Sequence, residues 1–353
     1  PLFHIINIFI NKFIESQQDY VLSFFVYSFL LPLFFFVALK KVFNEIKVQY
    51  LLIFISILLL SPYFRTSSYW GLQENLSYIF FILSIYLNEN YKKNIYLILL
   101  FAFLAFYADQ KFLFVPLLFL IKFFYIDKKF KKINEKFKIL SYCFILMIPS
   151  LIIFYLWQGV TPKVTSSGIN EEGFYPQNIV YVTNIISLYL FPFLFIKSNK
   201  YLLYKIFNLK FIVFFILCTI IIYLSYRFYF KTDLISGGGW LYKIYQFLLI
   251  KNIYFAEIYF FLAFIVSLFI VVLYYKIMEK SFVNIFLLLF LYFIGIFITV
   301  TFQEYYDPLM FFLLIFFFEK KNIYKYETSH FMIIFFYFFS FFTLTYVYRL
   351  YLT

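Results

Sequence analysis

Apolar runs recur along the whole chain, separated by short polar breaks, and each run is long enough for three or more helical turns. They fall at about 20–39, 48–62, 74–88, 94–108, 112–126, 139–157, 178–196, 209–226, 253–275, 281–301, 308–318 and 331–348. A helix needs roughly 20 apolar residues to cross a bilayer, and several of these runs are shorter. The pattern predicts an all-α, polytopic transmembrane bundle of about 11–12 spans, in one integral membrane domain covering residues 1–353, with spans from 20 to 348. Residues 1–18 differ. His4, Asn7, Asn11, Glu15 and Gln18 recur at helical spacing among Leu2, Phe3, Ile6, Phe9, Ile10 and Phe13. That reads as an amphipathic helix on the membrane surface, with the frayed end of a truncated span as the alternative.

Composition reinforces the membrane assignment. The chain is 65% hydrophobic with mean hydropathy +0.90, far above what a soluble domain needs. Its 60 phenylalanines and 36 tyrosines reflect mainly an AT-rich coding bias, and an interfacial aromatic belt accounts for only part of them. Cys143 and Cys218 both lie inside apolar runs and read as core residues. With two histidines in the chain and no metal-ligand spacing, neither a metal site nor a cofactor is expected.

The net charge of +13 points to membrane orientation, not to nucleic acid. Loops at 40–49, 89–93, 127–138, 197–210, 276–280 and 319–329 carry 20 of the 30 lysines and arginines. The alternating loops are poor in lysine. By the positive-inside rule the lysine-rich set is cytoplasmic and the other faces outward, as in a bacterial inner membrane.

The outward segments carry more chemistry than turning requires. Ser61-Pro-Tyr-Phe-Arg65-Thr-Ser-Ser-Tyr-Trp70-Gly-Leu-Gln-Glu74-Asn75 holds a cation, hydroxyls, a carboxylate and amides between two apolar runs. Ser61-Pro62 ends one span there. Ser67 or Ser68 can cap a next helix starting near Gly71, which puts Glu74 and Asn75 in its first turn. Glu74 is then explained equally by the helix dipole or by a site. Tyr107-Ala-Asp109-Gln110-Lys111 interrupts an apolar stretch from Ile95 to Ile126 that is too long for one crossing, so two short spans must meet there at an abrupt turn. Asp109 and Lys111 either pair with each other or bind a ligand. The loop from Gln158 to Gln177 is either a lid or plain solvent loop. Gly237-Gly-Gly239 permits close backbone approach, and the stretch from Trp240 can form an interfacial helix whose Lys243 and Lys251 meet an anionic head group. In Gln303-Glu304-Tyr305-Tyr306-Asp307-Pro308, Asp307 fits a helix cap and Pro308 the first helical position.

Aromatic faces with carboxylates and amides suit a sugar, and arginine or lysine suits a lipid-linked phosphate. The segments 61–70 with Glu74-Asn75, Asp109-Gln110-Lys111 and Tyr305-Tyr306-Asp307-Pro308 resemble motifs of the GT-C superfamily of polytopic glycosyltransferases, which use polyprenyl-phosphate sugars. The likeness is greatest to the α-1,2-glucosyltransferase family that adds the last glucose to the lipid-linked oligosaccharide. The resemblance implies hexose transfer to a lipid-linked or cell-envelope acceptor on the outer face. It implies Arg65 and Lys111 on the donor phosphate, and Trp70, Glu74, Asn75, Asp109, Gln110, Glu304, Tyr305 and Asp307 around the sugar or acceptor. Its partners would be the polyprenyl-phosphate donor, the glycan acceptor and membrane lipids. Two departures stand out. Asp109 occupies a position where relatives often carry arginine. The catalytic carboxylate of the family's first outward loop has no counterpart, and Pro1-Leu2-Phe3 resembles the point just after it, so the base is expected upstream of Pro1 in a longer chain. A multispan transporter or flippase is a competing expectation, as is an O-antigen polymerase, although the outward loops carry few arginines for the latter.

Overall fold

The structure, a computed structural model, describes residues 16–70, 73–90, 94–127, 132–157, 175, 178–197, 212–213, 215–217, 219–220, 240–296 and 303–351. Among these residues every regular element is helical, in agreement with the all-α expectation. Long runs of Phe, Ile, Leu and Tyr leave no polar side chain to compete for backbone bonds. A helix satisfies its own amides and carbonyls, which apolar surroundings demand. Contacts group the chain into two compact units, residues 1–167 and 168–353.

In the first unit, α1 spans Gln17–Val42 and starts in a capping box. Ser16 Oγ accepts from Asp19 N at 3.2 Å, and Ser16 N donates to Asp19 Oδ2 at 3.1 Å. Lys40 and Lys41 lie in its last turn, where cations suit the helix dipole. Gln17 and Gln18 thus belong to this helix. The remainder of the expected surface helix, residues 1–15, lies outside the described residues.

Helix α2 (Val48–Leu60) stops at Ser61, and α3 (Pro62–Trp70) leaves at 64° to it. Ser61 Oγ accepts from Phe64 N at 3.2 Å and Pro62 occupies the first helical position. This corrects the expected capping: Ser61 caps α3, and Ser67 and Ser68 lie inside it. The polar stretch is helical because its hydroxyls bond back to the preceding turn. Thr66 Oγ1 donates to Pro62 O and Ser68 Oγ to Phe64 O, both at 2.8 Å. The following helix, α4 (Glu74–Asn90), starts at Glu74, three residues later than expected. It packs against α1 on one side and α5 (Ile95–Ala108) on the other. After a one-turn 3-10 segment, Gln110–Leu113, comes α6 (Phe114–Ile121), and then α7 (Ile133–Trp157).

In the second unit, α8 (Asn178–Lys197) is the hub. It packs against α10 (Ile253–Ile277), α11 (Phe282–Ile296), α12 (Leu309–Leu313) and α14 (Thr328–Tyr351). Between these run α9 (Trp240–Lys251), which leans on α10, and the short α13 (Lys320–Ile323). Gly295 allows α11 its approach to α8, since a Cβ there would lie 2.2 Å from Val182 Cγ2 and 2.8 Å from the Tyr306 hydroxyl.

Helices α7, α8 and α10 are each long and apolar enough to cross a membrane, and the bent α2–α3 pair makes a fourth candidate span. The core of α8 is 72% buried in protein, whereas α7 is only 17% buried and shows Phe144, Ile145, Ile152 and Leu156 outward. Such a surface is tolerable in hydrocarbon and costly in water, so the chain is a membrane protein. Ten of the twelve expected runs coincide with helices or with a helix and its one-turn extension, and 281–301 is helical over Phe282–Ile296, with 297–301 outside the described residues. The twelfth, 209–226, falls largely outside the described residues, as do the loop 158–177 apart from Tyr175 and the triglycine segment.

Candidate functional site

The first unit brings three charged side chains from two turns together. One turn is Asp109. Helix α5 ends at Ala108 and Asp109 is extended, at φ −144° and ψ 129°. Its Oδ1 accepts from Lys111 N at 3.0 Å, which fixes the reversal into the 3-10 turn. Its Oδ2 meets Lys111 Nζ at 3.2 Å, with 9% of each side chain exposed. The expected abrupt turn is therefore present, and the pair closes on itself. Lys111 Nζ also lies 5.7 Å from the Tyr78 ring centroid and 5.9 Å from that of Phe112. Burial opposes the ammonium charge, but Asp109, Tyr78 and Glu74 outweigh it, so Lys111 stays above its ordinary pKa and remains a cation.

The other turn precedes α4. Glu74, its first residue, interacts electrostatically with both Lys111 and Asp109 and lies near the Ser67 side chain. Tyr78 lies one helical turn further along, fully buried, edge-on to Phe112 at 5.0 Å. Asn75 is 2% exposed, and Nδ2 donates to Ser28 Oγ of α1 and Ser68 Oγ of α3, both at 3.0 Å. The amide orientation follows from its partners: Ser68 has already given its proton to Phe64 O and can only accept from Asn75. Glu74 Oε2 and Asn75 Oδ1 are buried acceptors without a donor, and Lys111 Nζ, though ion-paired with Asp109, is likewise buried without a hydrogen bond. Each such acceptor costs about 1–3 kcal/mol unless something supplies a proton to it.

Of the residues anticipated from sequence, Glu74, Asp109 and Lys111 converge, and Asn75 neighbours Glu74 in the same helical turn. Gln110 is half-buried in the turn. Arg65 is exposed on α3, and its Nη2 donates to Leu60 O at 3.2 Å. Trp70 ends α3, but its side chain is outside the described residues. Ser28 and Tyr78 were not anticipated. For Tyr78, the spacing of four from Glu74 was the available signal. Ser28 is found only through a contact 47 residues away in sequence.

The Gln303–Pro308 motif lies in the second unit. Gln303–Tyr305 forms a 3-10 turn, and Gln303, Tyr306 and Asp307 are buried. Tyr306 donates to Leu291 O at 3.1 Å, anchoring the turn to α11. Pro308 is itself the cap residue and α12 starts at Leu309, one position later than expected, with no side-chain capping bond. Tyr305 is half-buried, and the side chain of Glu304 is outside the described residues. Along α8 in the same unit, Thr183, Asn184 and Ser187 are all buried. Thr183 meets Tyr292 OH at 3.2 Å and Ser187 meets Ser267 Oγ at 2.9 Å. No group of three His, Cys, Asp or Glu side chains suited to a metal occurs among the described residues.

No protein family, characterised protein or solved structure matches this chain.

Proposed function

We propose that the chain is a membrane glycosyltransferase of GT-C type, moving a hexose from a polyprenyl-phosphate sugar to a lipid-linked or envelope acceptor. The observation that carries this reading is the buried Glu74–Asn75–Asp109–Lys111 cluster with acceptor oxygens left over beside an aromatic ring. Phosphate is repelled by its carboxylates, whereas a sugar brings hydroxyl donors and no charge. Glu74, Asn75, Asp109 and Gln110 are therefore the sugar side of the site, with Trp70 at the end of α3. Lys111 is spent on Asp109, so the donor phosphate falls to Arg65, whose guanidinium suits phosphate oxygens and stands exposed on the same short helix as Ser67 and Ser68. Glu304, Tyr305 and Asp307 belong to the second unit and enter this reading only through the sequence resemblance. The lysine-poor loops face the outside of a bacterial inner membrane, where polyprenyl-linked sugars are presented.

A transporter or flippase reading draws on one observation, the buried polar line of Thr183, Asn184 and Ser187 within an apolar helix. The two are separated by incubating purified protein in nanodiscs with polyprenyl-phosphate glucose labelled in the sugar. Transfer or hydrolysis of the label, lost in Arg65→Ala, is the expected outcome. Movement of the intact labelled lipid across vesicles without bond cleavage supports the transporter.

A further inference from the structure

We propose that Glu74 is the catalytic base of this site, so that the chain itself carries the proton acceptor that transfer requires. The inference rests on the glycosyltransferase reading and adds a role to a residue so far assigned only to binding.

Three groups of the cluster can hold charge, and they are not equivalent. Asp109 uses Oδ1 on the Lys111 amide and Oδ2 on the Lys111 ammonium. Lys111 is ion-paired with Asp109 and lies over the Tyr78 and Phe112 rings, its Nζ making no hydrogen bond. Glu74 interacts with both, and its Oε2 is buried with no donor at all. Two carboxylates against one ammonium leave one net negative charge in surroundings that pair charges poorly. Proton uptake by Glu74 removes that excess and leaves a neutral Asp109–Lys111 pair. Before the reaction, Lys111 stabilises the ionised carboxylate that has to do the work. Asn75 Oδ1, the second buried acceptor without a donor, sits on the adjacent residue of the same helical turn.

The step balances without another reagent. The acceptor hydroxyl gives its proton to Glu74 Oε2 while its oxygen forms a bond to the anomeric carbon. The bond from that carbon to the donor phosphate oxygen breaks, and its electron pair leaves on the phosphate. Glu74 then returns the proton to solvent.

The test uses the full chain in nanodiscs with polyprenyl-phosphate glucose as donor and two hydroxyl probes, water and methyl glucoside. Donor binding and glucose release are measured for wild type, Glu74→Gln and Glu74→Asp, with melting temperatures as a check on folding. General-base catalysis is worth about 10²–10⁴-fold. The expected result is therefore turnover down by about a hundredfold or more in Glu74→Gln, well beyond any loss of donor binding measured in parallel. Glu74→Asp retains measurable turnover with its acid limb displaced along the pH axis, whereas Glu74→Gln loses that limb. If Glu74→Gln folds and keeps turnover within a few-fold of wild type with the same pH profile, the base assignment is overturned and the glycosyltransferase reading stands. Should Glu74→Gln not fold, wild-type activity and acid limb in Glu74→Asp overturn the assignment equally. A wild-type chain that binds donor but releases no glucose to either probe also overturns it. If the wild type does not bind donor, the glycosyltransferase reading falls and takes this inference with it.

Discussion

Two glutamates among the described residues, one in each unit, hold carboxylate oxygens out of solvent and satisfy them in opposite ways. Glu319 is fully buried at the end of the apolar segment Leu309–Phe318, just before α13. Its Oε1 accepts from Tyr274 OH of α10, and its Oε2 from Tyr326 OH at 2.7 Å and Asn322 Nδ2 at 3.2 Å. Both oxygens are matched by neutral donors, while Lys321 next door pairs with Glu279 at 2.6 Å instead. Glu74 has the reverse arrangement: a cation within reach, a second carboxylate beside it, and an oxygen with no donor. A satisfied buried acid ties elements together, in this case α10, α13 and the segment leading into α14. An unsatisfied one spends stability, and it is retained where that cost is recovered in binding or chemistry.

The sharpest way to break the comparison is to remove the cation. Lys111→Met leaves Asp109 and Glu74 facing each other without compensation. Losing one partner of a buried pair costs about 3–5 kcal/mol. Asp109→Asn combined with Lys111→Met removes both charges at similar volume and is expected to recover most of that loss. Denaturant unfolding in detergent of Asp109→Asn, Lys111→Met and the double variant reads the coupling directly. A double variant no more stable than Lys111→Met would mean that the pair does not act as a charge pair.

Glu319→Ala is expected to cost somewhat less, about 3 kcal/mol, by stranding two tyrosine hydroxyls and an amide. It carries no predicted loss of sugar transfer per folded molecule. The same knot has a pH signature. Burial, reinforced by the Glu319 carboxylate, holds the Tyr326 phenol well above its ordinary value of 10.0. Its contribution is therefore complete below about pH 10 and is lost only as pH rises toward the elevated folded value. Tyr326→Phe, worth about 1 kcal/mol, is expected to flatten this alkaline decline in stability. An unchanged alkaline slope would remove Tyr326 as its source.

These contrasts also mark what the sequence could say. Apolar runs located the helices because each run must bury or face lipid whatever its neighbours are. The Asp109 reversal was legible from length alone, since one helix from Ile95 to Ile126 could not fit a bilayer. Helix α3 was not legible as a helix. Its hydroxyls were read as turn and cap residues, and only the bonds of Thr66 and Ser68 to the preceding turn show them serving a helix interior. Glu319 was read as part of a lysine-rich loop because its main partner, Tyr274, is 45 residues away. One clue was present: Glu319 follows Phe318 with no polar spacer, so it enters the structure at the depth of the apolar segment. Which candidate residues meet was only half legible. Glu74 and Asn75 were placed in one first turn, but their convergence with Asp109 and Lys111 depends on α4 packing against α5.

The smallest expected effect is the most informative. Glu74→Gln keeps the shape of the side chain, and it removes the one unbalanced charge of the cluster. A buried charge without full compensation is a burden, so this substitution is expected to leave stability within about 1 kcal/mol of wild type or raise it slightly. Glu319→Gln offers the control. There the amide replaces one acceptor oxygen with a donor and sets it against a hydroxyl, so stability drops by about 1–3 kcal/mol. Opposite signs for two identical substitutions at two buried glutamates would separate an acid kept for structure from one kept for chemistry. Equal losses at both positions would instead make Glu74 a second structural anchor, and the unmatched Oε2 would then need an explanation in packing and not in function.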